Sequence, residues 1–498
     1  MEQDADLPEG WSRTTLEELC IPPQYGWTTS GVKNGSGLKL LRTTDISSGE
    51  VDWPTVPECE EEPAVPAKYL LREGDIVVSR AGSVGISYLV QKPPRAVFAS
   101  YLIRFRPKPP VTSEFIRLFL NSPDYWTAIA EEAAGIAVPN VNASKLKALV
   151  VPLPPLQEQR RMVATVGDLL RRVDQARDRL TGVPKILKAL HQSVLAAACS
   201  GRLTEEWREK HPGIESAKVL LDRILGERRA RLDKEPITPD PESLPDIPSN
   251  WCSASVDQIL SKPLANGRSV VDRAGGFPVL RLTALKKGRI DLAERKEGAW
   301  TKTEAYNFIV QKGDFLVSRG NGSLKLVGRG GLVDADPDPV AYPDTLIRIR
   351  SVKDVDSHYL AYFWDSPIMR SQIESRAHTT AGIHKISQKD IAALTLPLPP
   401  LHEQHEIVRR VEALFKLADA IEKRVELATK RAEKLTQAIL AKAFRGELVP
   451  TEAELARREG RSYEPTSALL ERIKAERAKS NEHEPSRQTH KRPRTNAS

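Results

Sequence analysis

Cysteine is scarce in this chain of 498 residues: Cys20, Cys59, Cys199 and Cys252 stand far apart, with no CxxC pair. That argues against a disulfide framework and leaves four reduced thiols expected to be packed inside. Long apolar runs are missing too. No stretch approaches the ~20 residues of a membrane span or the apolar core of a signal peptide, and the start, Met1-Glu2-Gln3-Asp4, is acidic. The expected location is the cytoplasm. Aromatic residues make up only 6%, yet 40% hydrophobic content suffices for buried cores. The length predicts a multidomain chain.

Catalytic signatures are also lacking. The sequence has no GxxxxGK[ST] loop, no GxGxxG opening a helix after a strand, and no GxSxG elbow. Its Pro-Pro pairs are never preceded by Asn or Asp and followed by Tyr or Phe, as the catalytic tetrad of an amino-methyltransferase requires. His402-Glu403-Gln404-His405 falls short of HExxH, because Glu406 stands where the second His belongs. The chain by itself is expected to be non-catalytic, with no metal and no cofactor of its own. Lys plus Arg exceed Asp plus Glu by 74 − 66 = 8, and the pI is near 9.1, which permits an anionic partner and mildly favours nucleic acid.

What the chain does have is an internal repeat. Leu153-Pro154-Pro155-Leu156-Gln157-Glu158-Gln159 returns as Leu398-Pro399-Pro400-Leu401-His402-Glu403-Gln404, a displacement of 398 − 153 = 245 residues. Each copy reads as a strand-to-helix corner. Leu149-Val150-Val151 is a short β-prone run that Pro152 is expected to end, Pro155 suits a first helical turn, and Glu158 suits the positive helix end. Beyond it, Val163, Val166, Leu170, Val173 and Leu180 keep the three-four spacing of a helical seam, as do Val408, Val411, Phe415, Ala418 and Val425. Gly182 and Pro184 predict a kink in the first long helix; Leu427 and Thr429 stand there in the second.

Upstream of each corner lies one mixed α/β domain, present twice. The copies open with Pro8-Glu9-Gly10-Trp11 and Pro248-Ser249-Asn250-Trp251. They share the strands Gly74-Asp75-Ile76-Val77-Val78-Ser79-Arg80 and Gly313-Asp314-Phe315-Leu316-Val317-Ser318-Arg319, then Leu102-Ile103-Arg104-Phe105-Arg106 and Leu346-Ile347-Arg348-Ile349-Arg350. One amphipathic helix each is expected over 113–130 and 357–375, with Asn121-Ser122-Pro123 and Asp365-Ser366-Pro367 at matching places. The segments around Leu220 to Arg228 and Leu469 to Arg477 also repeat, without an evident role. Residues 236–248 read as a Pro-rich linker and the basic end, from Lys479, as disordered.

The duplicated corners, Pro-x-x-Trp openings and Gly-Asp strands make the chain, from about residue 7 to about residue 450, resemble the specificity subunit of type I restriction-modification systems. The resemblance implies an α+β fold: two similar target recognition domains separated by two long antiparallel coiled-coil helices in a pseudo-twofold repeat. The expected boundaries are 1–152 for the first recognition domain, 153–204 for the first long helix and 205–249 for an appendage and linker; 250–397, 398–449 and 450–498 follow as second domain, helix, and appendage with tail. The resemblance also implies double-stranded DNA as ligand, each domain reading half of an asymmetric bipartite site and the helices fixing the spacer. Two modification (methyltransferase) subunits and restriction subunits are the implied partners. These would carry S-adenosylmethionine, ATP and Mg, making the assembly an adenine methyltransferase and ATP-dependent endonuclease. The corner residues Pro155, Leu156, Glu158, Gln159, Pro400, Leu401, Glu403 and Gln404 are the expected partner-docking positions.

Base edges are read by polar side chains and phosphates held by basic ones. The candidates beside the Gly-Asp strands are Ser79, Arg80 and Ser83, and Ser318, Arg319, Asn321 and Ser323. Arg80 and Arg319 match between domains expected to read different bases, which favours phosphate or structural roles for them. Unmatched candidates are Lys33, Asn34, Arg42 and Thr43 against Arg268, Arg281 and Thr283, and, before the corner, Asn140 and Asn142 against His384, Lys385 and Gln388. Tyr101, Trp53 and Trp300 have the chemistry to stack on an extruded base, though aromatics beside strands are expected in cores. The competing class is a coiled-coil scaffold whose duplicated domains bind peptides or proteins.

Overall fold

The computed structural model describes residues 7–33, 37–133, 140–230, 234–380 and 382–482. Two compact units result, Met1–Leu180 with Leu427–Ser498, and Thr181–Glu426. Each is built on the same plan. In the first, Ser12–Thr15 pairs antiparallel with Val150–Leu153, and in the second Cys252–Ser255 pairs with Thr395–Leu398. Pro152 does not end its strand: it sits within it opposite Arg13, as Pro397 does opposite Ser253. Every strand of a two-stranded ribbon has an open edge, where a residue without an N–H is tolerated.

The central sheet of the first unit runs in the order Gln24–Tyr25, Leu102–Phe105, Ile76–Ser79, Ser87–Leu89. The second unit has the equivalent order Ala265–Asn266, Leu346–Ile349, Phe315–Ser318, Gly330–Leu332, extended by Arg289–Ile290 and Leu285–Lys286. Buried acids explain the repeated Gly-Asp and Arg-x-Arg signatures. Asp75 takes Arg106 through two bonds of 2.6 and 2.9 Å, and Asp314 takes Arg350 through bonds of 2.5 and 2.6 Å. Each acid also accepts a turn N–H, from Arg72 or Gln311. These pairs bind the edges of the motif strands together and are structural.

The single helices expected over 113–130 and 357–375 are each two. Ser113–Phe119 is followed by Pro123–Ala133, and Ser357–Trp364 by Pro367–Arg376. The Ser-Pro pair breaks them: proline supplies no N–H and holds the preceding residue extended, while the serine hydroxyl accepts from Tyr125 N or Met369 N as a new cap.

The first long helix is interrupted at Gly182, giving Leu156–Thr181 and Val183–Cys199; the second runs unbroken over Leu401–Phe444, about 66 Å at 1.5 Å per residue. Within the first unit, the start of the first helix (Met162, Val166, Val173) shares a core with the end of the second (Ile439, Leu440, Ala443, Phe444). Within the second unit, the end of the first (Val194, Leu195, Ala198) packs on the start of the second (Ile407, Val411). The pairing is antiparallel in both. No helix among the described residues is long and apolar enough to cross a membrane.

The repeated segments after the long helices acquire a structural role here. Leu220 and Ile224 belong to the core of the second domain, and Leu469, Leu470 and Ile473 to that of the first. Each domain is therefore closed by the segment that follows the other copy's corner and helix. In the first unit Thr466 N donates to Gly10 O, and in the second Ala217 N donates to Asn250 O, both at 2.9 Å. The cysteines are free, three buried and Cys252 half-buried.

Candidate nucleic-acid interface

The turn leaving each Gly-Asp strand is built from short backbone bonds. In the first domain Arg80 N donates to Tyr101 O at 2.9 Å and Arg80 O accepts from Val141 N at 3.1 Å, so the loop before the corner is laced to the turn. Ala81 bridges Asn140. In the second domain Arg319 N donates to Thr345 O and Arg319 O accepts from Ile386 N, both at 2.9 Å. There Gly320–Asn321 pairs with Ile383–Lys385, which pairs with His378–Thr380, so that Asn321, His384 and Thr379 stand in one row. The structure thus joins two groups of candidates that the sequence holds some 60 residues apart: Arg80 and Ser83 with Asn140 and Asn142, and Arg319, Asn321 and Ser323 with His384 and Lys385.

Individual side chains divide more finely. Ser79 and Ser318 are buried and committed to the turn: the Ser79 hydroxyl donates to Ser83 O and accepts from Ile86 N, and that of Ser318 donates to Gly320 O. Neither is placed to read a base, because a strand residue beside a tight turn closes the turn with its own hydroxyl. Asn142 is exposed but caps the helix Ala143–Lys147, accepting from Lys145 N at 2.9 Å. Asn321 accepts from Ser323 N at 3.0 Å, and His384 Nδ1 lies 3.0 Å from the Thr379 hydroxyl. Gln388, oriented to satisfy both ends of its amide, donates to Leu264 O at 3.1 Å and accepts from Asn266 N at 3.2 Å, bracing a strand. Arg319, Ser83, Asn140 and Lys385 are exposed.

The remaining candidates lie elsewhere. Lys33 and Arg42 flank a second sheet of the first domain, formed by Gly31–Val32, Glu58–Cys59, Lys39–Leu41 and Ala96–Phe98. Arg42 is clamped by Asp45 at 3.0 and 2.7 Å, and Thr43 is half-buried. Asn34 lies outside the described residues. Arg281 is exposed, and Thr283 donates to Glu294 at 3.1 Å; Arg268 lies 6.0 Å from the centre of the Trp300 ring. Trp300 is buried, as an aromatic beside a strand should be. Tyr101 is not: it is 60% exposed, and with Tyr25 and Trp126 it surrounds the Arg80 turn. Sequence reasoning missed Tyr25 and Trp126, which are distant in the chain and carry no motif.

The corner residues face inward. Pro155, Glu158, Gln159, Pro400, Glu403 and Gln404 are buried, and Leu156 and Leu401 are half-buried, so within this chain they have internal contacts. Glu158 accepts from Trp11 Nε1 at 3.0 Å and from Glu452 N at 2.8 Å, and burial pushes its carboxyl up to about 7. Glu403 accepts from Trp251 Nε1 at 2.9 Å, Thr204 Oγ1 at 2.8 Å and Arg208 at 2.5 Å. Gln159 and Gln404 donate to Pro154 O and Pro399 O. The repeated Glu-Gln pair thus closes the domain opening onto the helix start, which is the physical reason the motif and the distant tryptophan occur together.

The type I restriction modification DNA specificity domain matches twice, over residues 27–182 and 262–429. The chain is 34% identical over 491 residues to the EcoKI specificity subunit of Escherichia coli K12, covering 95% of this chain and 97% of that one. It is 29% identical over 488 residues to the StySPI specificity subunit of Salmonella potsdam, covering 95% and 96%. In fold it is similar, at 20% identity, to the HsdS subunit from Thermoanaerobacter tengcongensis, with a TM-score of 0.55 over 90% of this chain and all of that one. A chain from a structural study of complex assembly and conformational transition of the type I R-M system gives a TM-score of 0.63 at 20% identity, over 89% and 99% of the two chains. With two DNA specificity domains on a duplicated frame and relatives matched along almost their whole length, this chain belongs to the specificity subunits of type I restriction-modification systems.

Proposed function

We propose that each domain reads one half of an asymmetric bipartite DNA site, with the long helices setting the unspecified gap. The chain does no chemistry itself and docks two modification subunits, which methylate adenine, and restriction subunits in the full assembly. The observation that carries this reading is the pairing, in each domain, of the Gly-Asp turn with the loop before the corner: one backbone frame presents different polar side chains in its two copies. A shared frame with unlike side chains is what an asymmetric reader of two half-sites needs. With the corner residues buried, the outer faces of the long helices are the surfaces left for docking.

The test is long-read methylation mapping of DNA from cells that express the chain with its neighbouring methyltransferase subunit. The expected result is one motif of two short halves and a fixed gap, methylated at adenine and absent without this chain. Exchanging residues 12–149 for those of another family member should alter one half alone. DNA affinity of the complex should fall steeply between low and moderate salt as counterions are released. Unmethylated DNA from a soluble complex, with affinity indifferent to salt, would overturn the reading.

A further inference from the structure

The two Gly-Asp strands end in the same Ser-Arg pair, and the backbone around the two arginines is bonded alike. Their side chains are not supported alike. The Arg80 guanidinium lies on the Tyr25 ring, 4.9 Å from its centre, whereas no aromatic ring lies against Arg319 among the described residues. The strand register identifies the cause. Tyr25 stands opposite Ile103, and the equivalent place opposite Ile347 is held by Asn266. A glycine follows in both copies, Gly26 and Gly267, where a Cβ would lie 2.2 Å from carbonyl oxygens, so the two positions are structurally equivalent. The second domain has simply exchanged the ring for an amide residue whose N–H is bonded to Gln388.

Tyr25 is itself fixed. Its strand pairs with Leu102–Phe105, and its hydroxyl accepts from Ala143 N at 3.0 Å, next to the Asn142 cap. Arg80 has no carboxylate within pairing distance among the described residues, and its Nε is buried without a hydrogen-bond partner. The neighbouring sheet arginines differ: Arg106 is bound by Asp75, and Arg104 by Gln24 and two backbone carbonyls. The Arg80 guanidinium thus lies over a fixed ring, with no side-chain hydrogen bond of its own among the described residues, beside exposed Ser83, Asn140 and Tyr101.

Holding a phosphate asks only for charge and reach, and the exposed Arg319 suits that task. Reading a base edge asks for a fork whose orientation is set beforehand, since two parallel bonds to the O6 and N7 of guanine form only in one plane. We propose that Arg80 reads a guanine in the half-site of the first domain and that Tyr25 is its positioning residue, while Arg319 contacts phosphate. The proposal rests on the reading that each domain recognises one half-site. It reverses the inference from sequence identity, by which two matching arginines would share one role.

The experiment uses the full chain with its methyltransferase subunits and compares methylation maps, the first domain's half being assigned by the exchange of residues 12–149. Wild type should show a fixed G·C pair in that half. R80K, which keeps the charge and removes the fork, and R80Q should relax that position alone, losing roughly 10- to 100-fold discrimination against other bases there. Y25A should relax the same position and Y25F restore it, which a merely structural tyrosine would not do. R319Q should leave the motif unchanged, weaken binding evenly across sites and make the salt dependence shallower. If R80K and R80Q keep the full motif and only bind more weakly, or if the first half has no fixed G·C pair, the assignment of Arg80 is wrong while the half-site reading stands. If wild type yields no motif from a soluble complex, the half-site reading falls and the proposal with it.

Discussion

Trp11 and Trp251 occupy equivalent places and donate to equivalent buried carboxylates, yet removing the indole N–H should have unequal consequences. Glu158 has two donors, Trp11 Nε1 and Glu452 N. Desolvation outweighs both and lifts its carboxyl from the ordinary 4.5 to about 7. Nearby Arg161 is itself bonded to Glu452 at 2.7 Å. Glu403 has Arg208, Thr204 and Asn250 beside Trp251, so a guanidinium balances its charge. Because Glu158 holds its proton more tightly folded than unfolded, its contribution is present in full below pH 4.5 and is lost as the pH rises through about 7. A rise from 4.5 to about 7 corresponds to about 3 kcal/mol. Trp11→Phe removes one of two donors to the ionised form, worth about 2–3 kcal/mol when the acceptor is charged and about 1 kcal/mol when it is neutral. The substitution should therefore cost about 1–2 kcal/mol more at about pH 8 than at about pH 5.5. Trp251→Phe loses a similar ring contact but leaves Glu403 three donors, a guanidinium among them, so it should cost less than Trp11→Phe at about pH 8. Hydrogen exchange of the peptides around residues 8–16 and 446–466, corrected for intrinsic rates, reads the local opening free energy at each pH. An equal cost of Trp11→Phe at both pH values, or a cost of Trp251→Phe at about pH 8 as large as that of Trp11→Phe, would refute the reasoning.

Three further outcomes follow from the packing. Asp75→Asn leaves Arg106 without its buried counter-charge and should cost about 3–5 kcal/mol in the first unit by urea unfolding, with Asp314→Asn acting likewise in the second. Gly446→Ala places a Cβ 2.4 Å from Pro8 Cγ at a φ of +72°, and should cost at least about 1–2 kcal/mol, read as faster exchange or proteolysis of the segment around Pro8. Leu469→Ala, a buried residue in the core of the first domain, should cost about 2–5 kcal/mol and loosen that domain while leaving Trp251 fluorescence unchanged; Leu220→Ala should do the converse.

The helical seam was legible because its period is local. Spacing over 163–173 and 408–418 predicted which face is buried, and the structure buries Val166, Val173, Val411 and Ala418 while drawing in Met162 and Ile407 beside them. The break at Gly182 was legible for the same reason. The Ser-Pro pairs were in plain view too, but helical periodicity hid the break they impose. The inward-facing corner was less accessible: Glu158 and Glu403 look like exposed first-turn acids until a tryptophan some 150 residues away is placed against each.

By itself the sequence determined the duplication, the alternation of domain and helix, and the family, because each is written in neighbouring residues or in a displacement repeated along the chain. Only the tertiary structure decided which segment closes which domain, that the Glu-Gln pair of the corner is internal, and that Arg80 and Arg319 differ although their motifs agree. Those outcomes depend on contacts between residues far apart in sequence. A side chain's role is set there by what is packed against it, such as the ring of Tyr25 or its replacement by Asn266, and a motif does not carry that information.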